Sequence, residues 1–405
     1  MQIIFPGNKT RKYVFVGLLA VMLLLNVLAW SSTAFCDWYI GHVFPIWVNT
    51  YGRLTGLFPF SVGEWMIVAG VILVAVALGM VPWLLLFGIL CLIRRRPICR
   101  RFFGFAKYFY RAFAWILLAV SIVMTLNCFI LYHASTFSEN YFPEQAGKTS
   151  EDYSTEDLLR LYNLVVTECN RLSETVQRDE EGRAVYSGDM QQQARLSMQR
   201  LGAEYPRLDG WYPRPKLMFF SDFMCQQYME GYYFPFSMEA NINQVMELMN
   251  RPSAMCHELA HLRGYIFEDE ANFISYLACI QSGDDTFVYS GYLSVLYYVY
   301  RDVEKALLQD PTILQQCSEE LKPVGVKEIV WQDAVFVSEE EWDRINGKAL
   351  IDTETVDKAS DVFIDTNLKV NGVADGSISY SRVVLLLLQY YSDSAKKKLI
   401  LGIDI

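Results

Sequence analysis

Two histidines and a glutamate near the middle of the chain stand in the order His-Glu-x-x-His. His257 and His261 are four residues apart, so on a helix their imidazoles share one face and can bind a single Zn²⁺ ion. Glu258 lies beside them and can accept a proton from the water that attacks a peptide bond. Gly264 follows where such a helix would end. The segment therefore predicts a zinc site with Glu258 as the catalytic base.

The scarcity of histidine favours a metal site over two ordinary core or surface histidines. The chain has four histidines, and two of them, His42 and His133, lie at the edges of apolar segments. A chance match to the motif is expected on the order of once in a hundred chains of this size. The region after the apolar segments therefore places its histidine pair at the spacing of metal ligands.

The third metal ligand is predicted to be a carboxylate, because that region offers no further histidine. Zinc peptidases with a glutamate ligand, the gluzincins, take it from a second helix, and residues 268–273 (Glu-Asp-Glu-Ala-Asn-Phe) fit that description. Glu268 is the favoured ligand, with Asn272 one turn later orienting an imidazole. Glu270 is the alternative ligand. The same acids would also suit a helix N-terminus that binds no metal, since they complement its dipole.

Three uncharged apolar segments precede this region, at 13–30, 65–93 and 113–132. Each is long enough to cross about 30 Å of hydrocarbon as a helix. They predict a membrane domain over residues 1–133 with three transmembrane helices, and therefore the lipid bilayer as a partner. The first segment could instead be a cleaved signal peptide, but its length favours an uncleaved anchor.

The distribution of charge predicts the orientation of these helices. Seven Lys and Arg residues lie between the second and third segments, whereas Arg53 is the only one between the first and second. By the positive-inside rule the N-terminus is cytoplasmic, and the chain after residue 132 lies outside the cell membrane. The net charge of -10, with most acids after residue 133, argues against nucleic acid as a partner, because such binding requires clustered Lys and Arg.

Residues 134–405 have the composition of a globular domain. We predict a mainly helical α+β domain of the zincin-like, gluzincin type. The predicted helices are 155–177, 191–202, 254–308 with a break at 282–285, and 381–391, and the predicted strands are 216–221 and 232–236. The aromatic segment 31–64, between the first two membrane helices, predicts a helix that lies at the membrane interface or packs under the soluble domain.

Longer motifs occur along most of the chain. They are Pro-Phe-Ser-Val-Gly-Glu (59–64), Tyr-Phe-Pro-Phe-Ser-Met-Glu-Ala-Asn-Ile-Asn (233–243), Cys-His-Glu-Leu-Ala-His-Leu-Arg-Gly (256–264), Glu-Asp-Glu-Ala-Asn-Phe (268–273), Tyr-Ser-Gly-Tyr-Leu (289–293) and Asn-Gly-Val-Ala-Asp-Gly-Ser-Ile-Ser-Tyr-Ser-Arg-Val-Val (371–384). Together they make the chain resemble a family of bacterial membrane proteins, domain of unknown function 3810, with a gluzincin-like zinc site. The gap between His261 and either glutamate is shorter than in most gluzincins.

The resemblance implies further site residues. Segment 233–243 is expected to run beside the motif helix as a substrate-binding edge strand, with Tyr233, Phe234 and Phe236 as contacts. Tyr380 and Arg382 are candidates for stabilising the oxyanion of a tetrahedral intermediate, which needs a donor aimed into the site. Their alternative is structural: a buried tyrosine and a surface arginine that close the fold.

These observations predict a membrane-anchored zinc metallopeptidase that hydrolyses peptide or protein substrates outside the cytoplasm. The rival is a non-catalytic membrane receptor or scaffold stabilised by zinc. Glu258 discriminates between them, because a structural zinc site needs no general base and is normally closed by a fourth protein ligand. An intramembrane protease is disfavoured, because the motif lies far beyond the last apolar segment in a polar region.

The charge asymmetry gives a testable topology. A reporter that works only in the cytoplasm should be inactive when fused after Ile405, because three crossings carry that end outward. The same reporter fused within the Arg-rich loop, after Arg101, should be active and serves as the control. Cytoplasmic activity of the Ile405 fusion would overturn the predicted orientation.

Overall fold

Three long apolar helices dominate the first part of the chain. The computed structural model describes residues 8–94, 100–370 and 382–392. The helices of the first part are α1 (Asn8–Ser31), α2 (Thr33–His42), α3 (Phe44–Trp47), α4 (Arg53–Thr55), α5 (Val62–Arg94) and α6 (Arg100–Met124). The segments Lys9–Ser31, Val62–Ile93 and Arg101–His133 are long and apolar enough to cross a membrane, since 20 apolar residues suffice for about 30 Å. They contain the three predicted spans, which are therefore candidate membrane-spanning helices in the structure as well.

The rest of the described chain is mainly helical with a small sheet, as predicted. Its helices are α7 (Phe137–Tyr141), α8 (Thr155–Leu172), α9 (Met190–Glu204), α10 (Ser221–Cys225), α11 (Arg251–His261), α12 (Glu268–Ile280), α13 (Asp285–Gln309), α14 (Ile313–Gln316), α15 (Glu328–Asp333), α16 (Glu339–Lys348), α17 (Thr353–Val370) and α18 (Arg382–Tyr391). Its strands are β1 (Lys216–Leu217), β2 (Gly231–Phe234) and β3 (Glu239–Ile242).

The sheet has the strand order β1-β3-β2. β1 runs parallel to β3 with Lys216 opposite Asn241, and β2 runs antiparallel to β3 with Tyr232 opposite Asn241. The predicted strand 216–221 is too long, because the chain turns into α10 at Ser221. Strand 232–236 is also too long: β2 ends at Phe234, and Phe236 lies in the turn that follows.

Segment 233–243, expected to run as one edge strand, instead contains the end of β2, a turn and the central strand β3. β3 was not predicted as a strand of its own, because Glu-Ala-Asn-Ile contains only one β-branched and no aromatic side chain. All four of its residues are buried. Glu239 and Asn241 make hydrogen bonds there, so polar side chains occupy positions that a pattern search assigns to apolar ones. The strand is therefore fixed by its partners more than by its own residues.

The predicted break at 282–285 is confirmed, and the local reason is visible. Gly283 has a φ of +72°, a backbone conformation that favours glycine. The Asp284 side chain then accepts from the backbone N–H groups of Thr286 and Phe287 and caps α13. The first predicted helix ends earlier than expected, at Leu172, because Arg178 folds back to donate to the Ser173 carbonyl and pairs with Asp333.

Segment 31–64 packs under the globular part, which was one of its two predicted positions. Cys36, Tyr39 and Phe44 are buried in the same apolar core as residues of α8, α11 and α12. Ile40 lies against the turn after α11, where a side chain on Gly264 would come within 3.2 Å of it. The helices α2 and α3 therefore form a floor for the elements that carry the His-Glu-x-x-His motif.

A buried cluster of charged side chains joins the start of α5 to the sheet. Glu239 on β3 accepts hydrogen bonds from the backbone N–H groups of Val62 (3.2 Å) and Gly63 (2.8 Å) and forms an ion pair with Lys216 on β1. Lys216 also donates to the carbonyls of Thr55 (2.8 Å) and Phe60 (2.9 Å). Both ionic side chains are fully paired in a buried setting, as their desolvation requires.

A second buried carboxylate joins the same elements, but here the acceptor is on α5 and the donors lie next to the sheet. Glu64, in the first turn of α5, accepts from the backbone N–H groups of Phe219 (3.1 Å) and Phe220 (2.5 Å), just before α10. The conspicuous segments 59–64 and 233–243 thus meet here, and they hold the second membrane helix against the sheet. We call Glu64, Lys216 and Glu239, with these backbone partners, the interdomain clasp.

We predict that Lys216→Met lowers the melting temperature of the detergent-solubilised protein, because it leaves the Glu239 carboxylate buried without its cation. Breaking one side of a buried pair costs about 3–5 kcal/mol. Lys327→Met, which removes the exposed pair with Glu174, is the matched control and should leave the melting temperature unchanged. Equal effects of the two substitutions would show that the clasp carries no special weight.

Candidate metal centre

The helix that carries the motif has clear local signals at both ends. Pro252 occupies the first turn of α11, where its missing N–H has no helical partner to lose. After His261 the chain leaves the helix, and Gly264 adopts a φ of +82°, which a residue with a Cβ rarely does. Only residues 262–267 separate α11 from α12, so the two helices pack directly against each other.

Two imidazoles and one carboxylate converge between α11 and α12. The Nε2 atoms of His257 and His261 are 3.1 Å apart. The Glu268 carboxylate lies 3.0 Å from the His257 Nε2 atom and 3.9 Å from that of His261. The three ligand atoms all lie within 4.8 Å of one another. This group could hold a metal ion.

The other ring nitrogens orient both imidazoles toward this point. His257 Nδ1 lies 2.8 Å from the Asn272 side-chain oxygen, and His261 Nδ1 lies 2.7 Å from the Tyr265 carbonyl oxygen. Because both acceptors are oxygens, a proton on each Nδ1 satisfies them, and each Nε2, when deprotonated, faces Glu268 with a lone pair that could bind a metal ion. Asn272 therefore holds the orienting position proposed for it, and Tyr265 does the same for the second histidine.

Glu270, the alternative third ligand, lies elsewhere. Its carboxylate is buried and accepts a hydrogen bond from the backbone N–H of Phe137. Two positions along a helix differ by about 200° in direction, so Glu268 and Glu270 face nearly opposite sides of α12. Among the described residues, the cluster of three consists of His257, His261 and Glu268 and does not include Glu270.

Glu258 is buried beside the cluster and against the edge strand. One of its carboxylate oxygens finds no hydrogen-bond partner among the described residues. The other is so close to Gly231 that a Cβ there would lie 2.8 Å from it and 2.7 Å from the Asn241 carbonyl oxygen. A glycine at the start of β2 therefore makes room for the carboxylate, which is a requirement that the sequence pattern did not reveal.

The environment of the cluster favours a charged pair of His257 and Glu268. Burial disfavours the charged form of His257, but the Glu268 carboxylate outweighs burial and raises the pKa of His257 to about 9. Burial likewise disfavours the charged form of Glu268, but the two imidazoles outweigh burial and lower the pKa of Glu268 to about 2. Burial lowers the pKa of His261 to about 4 and raises the pKa of Glu258 to about 8. Positive charge is thus stabilised where the three ligand atoms meet.

The cluster opens into a cavity of about 660 Å³. Tyr233 and Phe234 of β2 line it, as does Phe236 from the turn. The Tyr233 ring lies 6.1 Å from the His261 ring, and its hydroxyl donates to the Asn127 carbonyl 3.1 Å away. All three residues expected at the substrate edge therefore border the cavity, although Phe236 is not part of the strand.

Of the two candidates for oxyanion stabilisation, Arg382 is not placed at the cavity. Arg382 is the first residue of α18. Burial of Asp269 raises the pKa of its carboxyl group to about 6, and the positive charge of Arg382 partly offsets this effect. Arg382 is not among the residues that line the cavity. Tyr380 lies outside the described residues.

The cavity is also lined by polar side chains that the sequence analysis did not predict. They are Glu230, Tyr232, Tyr298, Asp357 and Asp361. Burial and the charges of Glu230 and Glu268 raise the pKa of Tyr298 to about 12, so its hydroxyl keeps its proton and can donate. Tyr298 lies in the middle of the long helix α13, where no local signal separates it from the neighbouring tyrosines.

Residues 39–388 match the family described as Protein of unknown function (DUF3810). The match spans most of the chain, and the protein belongs to this family. It includes the cluster of three ligands, the cavity and the interdomain clasp. No curated protein and no solved structure matches the chain.

The placement of the two glutamates predicts which one binds metal. Glu268→Gln should lower the affinity for Zn²⁺ by at least the roughly 10–100-fold that losing a ligand's hydrogen-bond partner costs, because a neutral amide is a poor ligand. Glu270→Gln, the same substitution two residues away, should bind Zn²⁺ like the wild type. Competition with a chromogenic chelator measures both. The opposite pattern would make Glu270 the ligand.

Proposed function

We propose that the protein is a membrane-anchored zinc metallopeptidase that hydrolyses peptide bonds on the outer side of the cell membrane. The observation that carries the proposal is the convergence of two imidazole Nε2 atoms and the Glu268 carboxylate beside buried Glu258, one oxygen of which has no hydrogen-bond partner in the described part of the chain. A soluble zincin-like domain of the gluzincin type over residues 134–405, anchored by residues 1–133, is part of the proposal.

The donor set supports zinc as the cofactor. Two imidazole nitrogens and one carboxylate are the ligands of a well-known class of catalytic zinc site. The metal acts as a Lewis acid that polarises a carbonyl group and makes water more acidic. Cys256, the nearest candidate for a fourth ligand, is buried in the core with its Sγ 3.9 Å from that of Cys279. A three-ligand set that leaves one position open favours catalysis over a closed structural site.

Glu258 is the proposed general base and acid. A water molecule attacks the carbonyl carbon of the peptide bond, and its proton passes to the unpartnered carboxylate oxygen of Glu258. When the C–N bond breaks, the same oxygen returns the proton to the leaving amine nitrogen. The Tyr298 hydroxyl, which lines the cavity, is the proposed donor to the oxyanion in place of Arg382.

The edge strand β2 is the proposed binding site for the substrate backbone. β2 pairs with β3 on one side, and no strand among the described residues pairs with its other side. An extended peptide can add to such an edge through main-chain hydrogen bonds. Because Glu258 packs against Gly231 in this strand, the bound peptide bond would lie next to the base.

We predict that Glu258→Gln removes nearly all peptidase activity while Zn²⁺ binding and folding are unchanged. Gln keeps the size of the side chain but cannot accept the proton, and loss of a general base costs about 10²–10⁴-fold in rate. Glu156→Gln, on the exposed side of α8, is the control and should be fully active. Cleavage of a quenched peptide library and metal analysis provide the measurements. A zinc-bound wild type that cleaves nothing would favour the receptor or scaffold.

A further inference from the structure

One wall of the metal cavity is formed by the third membrane helix. Met124, Cys128 and Tyr132 lie four residues apart on one face of the segment Arg101–His133, and all three line the cavity that contains His257 and His261. After Met124 the helix widens into a π-helical turn (Thr125–Phe129) and ends in a 3-10 turn (Leu131–His133). The cavity therefore extends along the last turns of a membrane-spanning segment.

Contacts with the first membrane helix indicate how deep in the bilayer this wall of the cavity lies. The Trp30 ring packs on His133 at 4.5 Å, and tryptophan is typical of the membrane–water interface. Asn26 donates to the Thr125 hydroxyl at 2.9 Å, so Thr125 is level with a position one turn before Trp30 in the apolar segment. In the predicted orientation, Met124, the residue before Thr125, therefore lies at the depth of the outer leaflet.

The edge strand leads from the metal ligands to this wall. β2 begins at Gly231, beside Glu258, and ends at Phe234. In the turn that follows, the Pro235 carbonyl accepts a hydrogen bond from the Asn127 side chain at 2.9 Å. An extended peptide paired with β2 would therefore run from the catalytic base to the outer end of the third membrane helix.

The surface around the start of α5 is suited to contact with lipid. Exposed apolar side chains from two distant segments meet there, namely Leu57, Phe58, Phe60, Phe219, Phe220 and Phe223. Leu57 is 78% exposed and Phe219 is 74% exposed, which is unusual for large apolar side chains in contact with water. Trp65 of the second span packs on Phe220 at 6.3 Å. This surface continues the lipid-facing surface of the spans, and it would hold the soluble domain on the bilayer.

We propose that the substrate is the juxtamembrane segment of a membrane-anchored polypeptide, which enters along β2 with its anchored end toward Pro235 and the third membrane helix. This inference rests on the proposed function and adds the class of substrate. Anchoring in the same bilayer raises the effective concentration of such a segment without any new contact. The cavity wall at Met124 and Cys128 accepts the apolar residues that adjoin the anchor.

The test uses full-length protein in liposomes, loaded with Zn²⁺. One randomised fluorogenic segment is offered in three forms: joined directly to a transmembrane helix, joined through a Gly/Ser spacer with a reach of roughly 25 Å, and free at the same total concentration. The directly joined form should be cleaved at least about 100-fold faster than the free form, within the first residues outside the bilayer. Equal rates, or faster cleavage of the spacer form, would overturn the inference.

A second readout does not depend on turnover. The zinc-loaded Glu258→Gln protein is mixed with the directly joined segment carrying a photo-reactive side chain, and we expect cross-links near Phe236 and Met124. If the wild type cleaves no form but these cross-links are present, the proposed hydrolysis fails and the substrate path is supported. Cross-links only elsewhere, or capture of a photo-reactive phospholipid in place of the peptide, would overturn the path.

Discussion

The buried ion pair between Lys216 and Glu239 is the constraint on which the geometry of this protein depends. The pair joins the outer strand β1 to the central strand β3 and contacts the start of α5. Glu239 fixes β3, β3 pairs with β2, and β2 lies against Glu258. The position of the Glu258 carboxylate relative to the second long apolar helix is therefore set by one chain of direct contacts.

Burying two charges is costly, and the clasp is arranged so that the cost is offset. Each charged group has an ionic partner and two backbone partners: Glu239 accepts from two N–H groups, and Lys216 donates to two carbonyls. Charged hydrogen bonds of this kind are strong and directional. An apolar contact of the same size would bind as well, but it would allow sliding between the membrane helix and the sheet.

The sequence predicts what is local and misses what is assembled from distant segments. The pairs His257–His261 and Glu268–Asn272 are each one helical turn apart, so spacing alone indicates their shared faces. Membrane spans can also be predicted from local sequence, because the length of an apolar segment determines whether it can cross the bilayer. By contrast, the clasp joins Gly63 to Glu239, and the cavity brings Met124 next to the motif. No periodicity encodes such contacts, and β3 is stabilised by them.

The short connection from His261 to Glu268 explains how so few residues build the metal centre. Gly264 reverses the chain at once, and the Tyr265 carbonyl in the turn orients the His261 imidazole. Arg207 stabilises the turn, because it donates to the Gly264 carbonyl at 2.8 Å and lies over the Tyr265 ring at 3.9 Å. It also donates to the Ser135 carbonyl, just beyond the third span. The turn that orients the His261 imidazole is thus tied to the third long apolar segment separately from the clasp, so two independent connections hold the cavity against the apolar helices.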